Sequence, residues 1–255
     1  MEKVLRDKVI VISGGTKGVG RTIAEECGIR GAKVVIGGRD EESAKKSLRL
    51  IRSYGSDGMF VYTELTKVED IRNLFSSAYE KYGKIDGFFN YAGVTDVSPL
   101  DTCPEEIFDK LVAVNFKACF FCTQEAIRYM RKNGGGSIIF TGTAHAWGGQ
   151  KDRAGYACSK GALITLMEHV AHNYASEQIR CNYLVLGWTP TEGEVKLRES
   201  QGETEKELRE RAAAILPMGR MLERTDYVEA IVYMFSDASK MMTGSTFRIT
   251  AGEYI

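Results

Sequence analysis

The sequence predicts an α/β fold, a doubly wound parallel sheet between two layers of helices, built by one domain of 255 residues. Three observations predict it. Short continuous apolar runs of strand length recur along the chain, the mark of strands buried on both faces. Helical patterns alternate with them, which calls for right-handed crossovers and parallel pairing. A glycine-rich turn directly follows the first run and opens the first helix.

In order, Lys8–Ser13 is the first strand, and Gly14-Gly15-Thr16-Lys17-Gly18-Val19-Gly20 is the turn. A helix pattern through Ile23, Ala24 and Ile29 follows. Strand, glycine turn and helix together present backbone N–H groups and a helix N-terminus to a diphosphate, and a side chain at the glycines would block the approach. The spacing Gly-x-x-x-Gly-x-Gly differs from the Gly-x-Gly-x-x-Gly fingerprint. The second strand, Lys33–Gly37, runs into Gly38-Arg39-Asp40. A carboxylate at this point selects NAD by bonding the ribose 2′-hydroxyl, whereas arginine accommodates the 2′-phosphate of NADP. Gly38 leaves the carboxylate out, Arg39 follows it, and Lys17 supplies a second cation, so NADP(H) is the expected cofactor. The alternative reading makes Lys17 and Arg39 solvated charges and Asp40 the cap of the next helix.

Further units repeat the rhythm. Helices are expected at about 41–54, 67–82 and 105–131, the last carrying Asn115, and strands at Met59–Tyr62, Ile85–Phe89, Ser137–Thr141 and Arg180–Leu186. Gly14, Arg39, Asn90 and Thr143 all fall just beyond strand ends, on the edge where such sheets bind ligands. Gly155–Lys160 opens another helix, and Tyr156 and Lys160, four apart, share its face. At ~4 Å and an effective dielectric of ~20, unit charges interact by about 4 kcal/mol, or roughly 3 pKa units. An ammonium so placed would bring the phenol toward neutrality, as a general acid or base needs.

Composition narrows the classes. Thirty-four basic residues balance thirty-four acidic ones, so nucleic acid and anionic membrane are not expected partners. Met1–Lys8 lacks the apolar stretch of a signal peptide. No apolar run reaches membrane-spanning length. The six cysteines are scattered apart from Cys119 and Cys122, which fall in an apolar helix pattern, and a reduced cytoplasmic protein is expected. Glu168, His169 and His172 have the wrong order for a zinc helix and no third ligand nearby, so no metal is expected.

Taken jointly, Ser13–Gly20, Asn90-Tyr91-Ala92-Gly93, Asn115, Thr141-Gly142-Thr143, Tyr156-Ala-Cys-Ser-Lys160, Ile179–Asn182, Pro217–Arg220 and Met242–Gly244 resemble the short-chain dehydrogenase/reductase family over nearly the whole chain. The resemblance implies a Rossmann-like three-layer α/β/α domain. It implies Tyr156 as proton donor and acceptor, and Lys160 to lower its pKa and hold the nicotinamide ribose. Thr143 would bond the substrate oxygen, and Asn115 would support a proton-relay water. Cofactor contacts would come from Gly14, Gly15, Thr16, Lys17, Gly18, Val19 and Gly20 in the turn, and from Arg39, Glu64 and Leu65 near the adenosine. Asn90, Ala92, Gly93, Tyr156, Lys160, Gly187, Thr189 and Thr191 would complete the set. A homo-oligomer, dimer or tetramer, built on the helices bearing Asn115 and Tyr156 is likewise implied.

The chain departs from the family pattern at Thr143 (serine in the family), Tyr91 (commonly asparagine), Glu64 (aspartate), Leu186-Gly187 (Pro-Gly) and Ala251-Gly252-Glu253 (Asp-Gly-Gly). In the family the highly charged segment 189–216 is a mobile helical lid; the alternative is an exposed helical hairpin with no gating role. His145, Trp147 and Trp188 fall near the expected substrate pocket, either as polar contact and aromatic walls or as packing residues. The leading expectation is an NADPH-dependent carbonyl reductase or the reverse alcohol dehydrogenase. The alternatives are a NAD-preferring polyol or hydroxysteroid dehydrogenase and a weakly catalytic NADP(H)-binding sensor or scaffold.

Overall fold

The computed structural model describes residues 3–253. Seven parallel strands form one sheet in the order β3-β2-β1-β4-β5-β6-β7. They are β1 (Val9–Ser13), β2 (Lys33–Gly38), β3 (Gly58–Tyr62), β4 (Gly87–Asn90), β5 (Gly136–Thr143), β6 (Ile179–Leu186) and β7 (Thr246–Ile249). The helices between them are α1 (Gly18–Ile29), α2 (Glu41–Ser53), α3 (Val68–Tyr82), α4 (Glu105–Leu111), α5 (Ala118–Met130), α6 (Ala154–Asn173), α7 (Glu192–Ser200), α8 (Glu205–Ile215) and α9 (Val228–Phe235).

The apolar runs are continuous because each strand feeds two cores. Side chains alternate across a strand, so Ile10 and Ile12 join the core under α1, α2 and α9, with Ile23, Ile51 and Ile231. Val9 and Val11 enter the opposite core with Phe75, Phe88 and Met167, under α3, α5 and α6. Each such aliphatic side chain stabilises the fold by about 2 kcal/mol through burial. Winding reverses between β1 and β4, which makes their carboxyl ends the switch point where such sheets receive ligands.

Two elements differ from the expectation. The helix over 105–131 is interrupted: Val112–Lys117 is a π-helical segment between α4 and α5, and it carries Asn115. Wider turns of this kind recur at functional sites. The strand β7 was not expected, being four residues of which three are exposed. It is secured by its pairing with β6 and by side chains of β6. Arg180 donates to the carbonyls of Met242 and Met234 (2.9 and 2.8 Å), and Asn182 donates to Met242 O and accepts from Ser245 N. The family-like Ile179–Asn182 thus ties the C-terminal segment to the sheet.

Candidate active site

The glycine turn lies at the switch point and has no room for side chains at its glycines. Gly14 and Gly18 have φ of 78° and 55°. A Cβ at Gly14 would come within 2.8 Å of the Ala92 backbone, and one at Gly20 within 2.4 Å of the Tyr91 ring. The first turn of α1 carries no acidic residue, and Lys17 at its start makes no side-chain cap. Its amides therefore form a positive, anion-seeking end. Tyr91 reaches beneath the turn, stacks on Phe89, and accepts a hydrogen bond from Val19 N (3.3 Å). This cradle, too tight for a Cβ at its glycines and open through backbone amides, fits a dinucleotide diphosphate. Thr16 is buried here and fills the space beside Gly38, whose Cβ would lie 2.9 Å from its methyl group. Gly15 is likewise hemmed in, by Ile12 and Ile36.

At the adenosine end, Arg39 pairs with Glu64 (3.2 Å) and Lys17 with Asp40 (3.5 Å). Asp40 also caps α2 by accepting from Ser43 N, as the alternative reading required. The Arg39 and Lys17 side chains are 71% and 69% exposed. Exposed pairs of this kind contribute about 0–1 kcal/mol, so neither cation is held strongly by its carboxylate. Glu64 is held by Thr66 as well as Arg39. Leu65 packs on the core under α3, α5 and α6.

Asn90 ends β4, where its Oδ1 accepts from Ser13 Oγ and its carbonyl from Thr141 Oγ1; its Nδ2 is buried without a partner among the described residues. The chain continues past Ala92, whose N–H donates to Ser13 O, to Gly93. A Cβ on Gly93 would stand 3.2 Å from Asn115 Oδ1 and 3.4 Å from Lys160 Nζ. Asn115 is fully buried and clamps Val94 through both its backbone groups (2.8 and 2.9 Å). It also donates to Ser159 Oγ (2.9 Å), which in turn donates to Tyr156 O. The π-helical turn and α6 are thereby locked together.

Lys160 is buried on α6 and donates to the Thr141 carbonyl at 3.0 Å. Burial pushes its ammonium down to about 8, with the neighbouring Cys119 thiol opposing. Burial pushes the Tyr156 phenol up to about 12, while the Thr143 side chain, by hydrogen bonding, and the Arg153 charge pull it down. The expected shift toward neutrality is therefore not produced by the protein groups alone. Desolvation outweighs the cations when the ammonium is turned to a carbonyl. Thr143 ends β5, and its Oγ1 accepts from His145 N. The His145 ring lies edge-on to Tyr156 at 6.4 Å, and its Nδ1 is buried without a partner among the described residues.

A feature missed in the sequence fixes the start of α6. Ser98 accepts from Gly155 N through its carbonyl and from Tyr156 N through Oγ (3.3 Å each), capping the helix from 58 residues away. Nothing local to Tyr156 signals this partner.

The segment 189–216 begins against the turn, with Thr191 Cγ2 3.5 Å from where a Cβ on Gly18 would lie. Thr191 caps α7, Thr189 bonds the buried Tyr227 hydroxyl, and Gly187 packs on Thr250. Trp188 does not form an open wall. Its Nε1 donates to Glu194 (2.9 Å), which also holds Arg198, and the Arg211 guanidinium covers the indole at 4.8 Å. Trp147 meets Tyr183 edge-on and lies under Arg248 at 4.3 Å. Trp147 remains 43% exposed. A cleft of about 560 Å³ between segment 189–216 and the rest of the chain, lined by Thr22, Pro190, Glu192 and Arg224 among others, contains none of Tyr156, Lys160 and Thr143.

Among the described residues, no group of three His, Cys, Asp or Glu is placed to hold a metal, and no helix is long and apolar enough to cross a membrane. Cys119 and Cys122 are free and fully buried, with both thiols pushed up by burial, which suits packing and not redox chemistry.

Comparison with known proteins agrees with this architecture. A family model described as enoyl-(acyl carrier protein) reductase matches residues 14–253. The chain is 32% identical over 245 residues to an uncharacterised oxidoreductase of Thermotoga maritima, covering 96% of each. It is 30% identical over 257 residues to an L-rhamnose 1-dehydrogenase (NAD(P)+) of Azotobacter vinelandii, covering 99% of this chain and 98% of that one. A crystal structure of a short-chain type dehydrogenase/reductase from Mycobacterium marinum superposes with a TM-score of 0.89 at 26% identity, over 97% of this chain and 96% of that one. With the glycine cradle at the switch point and the tyrosine–lysine pair beyond β5, these matches establish that the chain belongs to the short-chain dehydrogenase/reductase family.

Proposed function

We propose that the chain reduces a ketone, or oxidises the matching secondary alcohol, with NADP(H) as hydride carrier and Tyr156 as proton donor and acceptor. Its membership of the family carries the coarser part, an oxidoreductase of alcohol and carbonyl groups. The observation that supports the rest is the approach of Asn115 and Lys160 to the Gly93 position, with Thr143 acting on the Tyr156 phenol, at the end of the sheet that bears the glycine cradle. A bound nicotinamide supplies the hydride. The protein's own groups do the remainder. Thr143 and Tyr156 orient the reacting oxygen, and Tyr156 yields its proton to it. Lys160, buried yet cationic near neutral pH, favours the phenolate so formed. Asn115 holds the Val94 backbone and α6 in register with these groups. The same enzyme is proposed to work as a cytoplasmic homodimer or tetramer, and Phe108 and Phe120, exposed on α4 and α5, suit a helix-face contact between copies.

The NADP preference rests on Gly38, Arg39 and Lys17. The rival NAD reading draws on the carboxylates that pair both cations, and on the relative named for NAD(P)+. Steady-state assays with NADPH and NADH decide between them. Wild type is expected to favour NADPH, and Arg39→Ala to lower kcat/KM for NADPH about 30-fold, the value of one charge-assisted contact, with little change for NADH. Equal rates with both cofactors in wild type would overturn the preference. NADPH binding without turnover of any ketone or alcohol in a broad screen would instead favour the sensor reading.

A further inference from the structure

We infer that the Tyr91 hydroxyl is itself a ligand of the cofactor, donating its proton to the diphosphate that the glycine turn receives; the inference rests on the nucleotide-binding part of the proposed function and not on the chemistry at Tyr156. Tyr91 stands where asparagine is common in the family, and the implied cofactor contacts at Asn90, Ala92 and Gly93 pass over it. Its side chain has a fixed seat. The ring fills the space that a side chain at Gly20 would need, and it stacks on the fully buried Phe89 with centroids 6.1 Å apart and planes 18° from parallel. A group seated in this way loses little freedom when it meets a ligand.

The seat carries the hydroxyl to the start of α1. The phenol oxygen lies 2.8 Å from where a Cβ on Gly18 would be, and 3.3 Å from Val19 N, from which it accepts a hydrogen bond. Gly18 and Val19 open the helix, and the bond that begins it runs from Arg21 N to Lys17 O at 3.1 Å. The Val19 amide precedes that bond and has no acceptor within the helix. Among the described residues, the phenol is what takes it up.

A phenol oxygen both accepts and donates. With the Val19 N–H on its lone pair, the Tyr91 hydrogen turns elsewhere, and among the described residues no group accepts it. Thr191, the other neighbour of the Gly18 position, presents its methyl carbon there at 3.5 Å, while its Oγ1 accepts from Glu194 N to cap α7. Burial pushes the phenol above its ordinary value, so the proton stays on the oxygen at neutral pH. A donor polarised by a helix amide, and lacking an acceptor, thus stands beside the first amides of an anion-seeking helix end. A diphosphate oxygen is the acceptor of matching charge, and a bond from a neutral hydroxyl to an ionised oxygen is of the strong kind. Asparagine cannot take this part, because its amide ends well short of the far side of a phenol ring.

The test uses Tyr91→Phe, which keeps the ring, its stack on Phe89 and its fit against Gly20. Its Tm without nucleotide should stay within about 3 °C of wild type, the cost of one hydrogen bond in a chain of this size. Affinities are read by fluorescence titration with NADPH and NADH. Displacement of NADPH then adds ADP-ribose, which has the diphosphate without the nicotinamide, and adenosine 2′-monophosphate, which has neither. Tyr91→Phe is expected to bind NADPH, NADH and ADP-ribose about 10-fold more weakly, and adenosine 2′-monophosphate as wild type does. An unchanged affinity for ADP-ribose overturns the inference, as does an equal loss for adenosine 2′-monophosphate, which would mean a general distortion of the site. Tighter binding by the variant overturns it too, since the phenol would then compete with the diphosphate for the Val19 amide. So does a wild type that binds none of these nucleotides. None of the readouts needs turnover. If ADP-ribose is lost as expected while no ketone or alcohol reacts, the diphosphate contact stands and the reductase reading falls. If a ketone is reduced while ADP-ribose affinity ignores Tyr91, the reductase stands and the contact falls.

Discussion

Tyr156→Phe is expected to lower kcat about 10³-fold, the contribution of a positioned proton donor, while NADPH affinity stays within about twofold. The substitution removes only the hydroxyl. The ring keeps its edge-on contact with His145, and the backbone keeps its bonds to Ser98 and Ser159. The phenol stands at about 12 with protein groups alone, so it is protonated across the neutral range. Ketone reduction, which consumes that proton, should accordingly be nearly flat from about pH 6 to 8 in its dependence on this group. Alcohol oxidation needs the phenolate and should rise with pH over the same range. Stopped assays in both directions, wild type against variant, check both statements. If Tyr156→Phe turns over a confirmed substrate at the wild-type rate, the proton comes from elsewhere, and His145 is the nearest group to examine.

Lys160→Met is expected to separate stability from activity. Burial lowers the Lys160 ammonium from 10.5 to about 8. Between those values the unfolded chain holds a proton that the folded protein has released, so stability rises with pH across that window. Below it the whole desolvation cost is present. At pH 7 that cost is about 3 kcal/mol, and removing the charge recovers it, less about 1 kcal/mol for the lost bond to Thr141 O. The net gain of about 2 kcal/mol corresponds to a rise in Tm of about 5 °C for a chain of this size, measured without added nucleotide. The advantage should shrink by about pH 10. Turnover should fall by about 10²- to 10³-fold, as for loss of one electrostatic stabiliser in a dry site. A variant less stable than wild type at pH 7 would mean the ammonium is a net stabiliser of the fold.

Much of the architecture was legible because it rests on local pattern. Runs such as Val9–Ser13 are apolar throughout since alternate side chains enter different cores, and a glycine turn between strand and helix has few other meanings. β7 was not legible, because a four-residue strand with three exposed residues has no periodicity of its own and is held by Arg180 and Asn182 of β6. The π-helical turn around Asn115 was equally hidden. It follows from bonds to Val94 and Ser159, 21 and 44 residues distant. That Gly14, Asn90 and Thr143 lie at the carboxyl ends of their strands could be foreseen from the apolar runs. The electrostatics could not, since Lys160 spends its hydrogen bond on Thr141 O and burial dominates both groups. Trp188 takes its contacts from Glu194 and Arg211, which no spacing rule pairs with it.

The cap that Ser98 lends to α6 also bears on how the enzyme acquires its competence. A helix of this length can begin from its own local contacts within microseconds, but the amide of Tyr156 finds its acceptor only after a distant loop has come home. Contacts of such long sequence separation form slowly. On dilution from denaturant, helical circular dichroism should therefore recover ahead of ketone-dependent NADPH consumption, and Ser98→Ala should blur the ordering of the first turn that closes that gap.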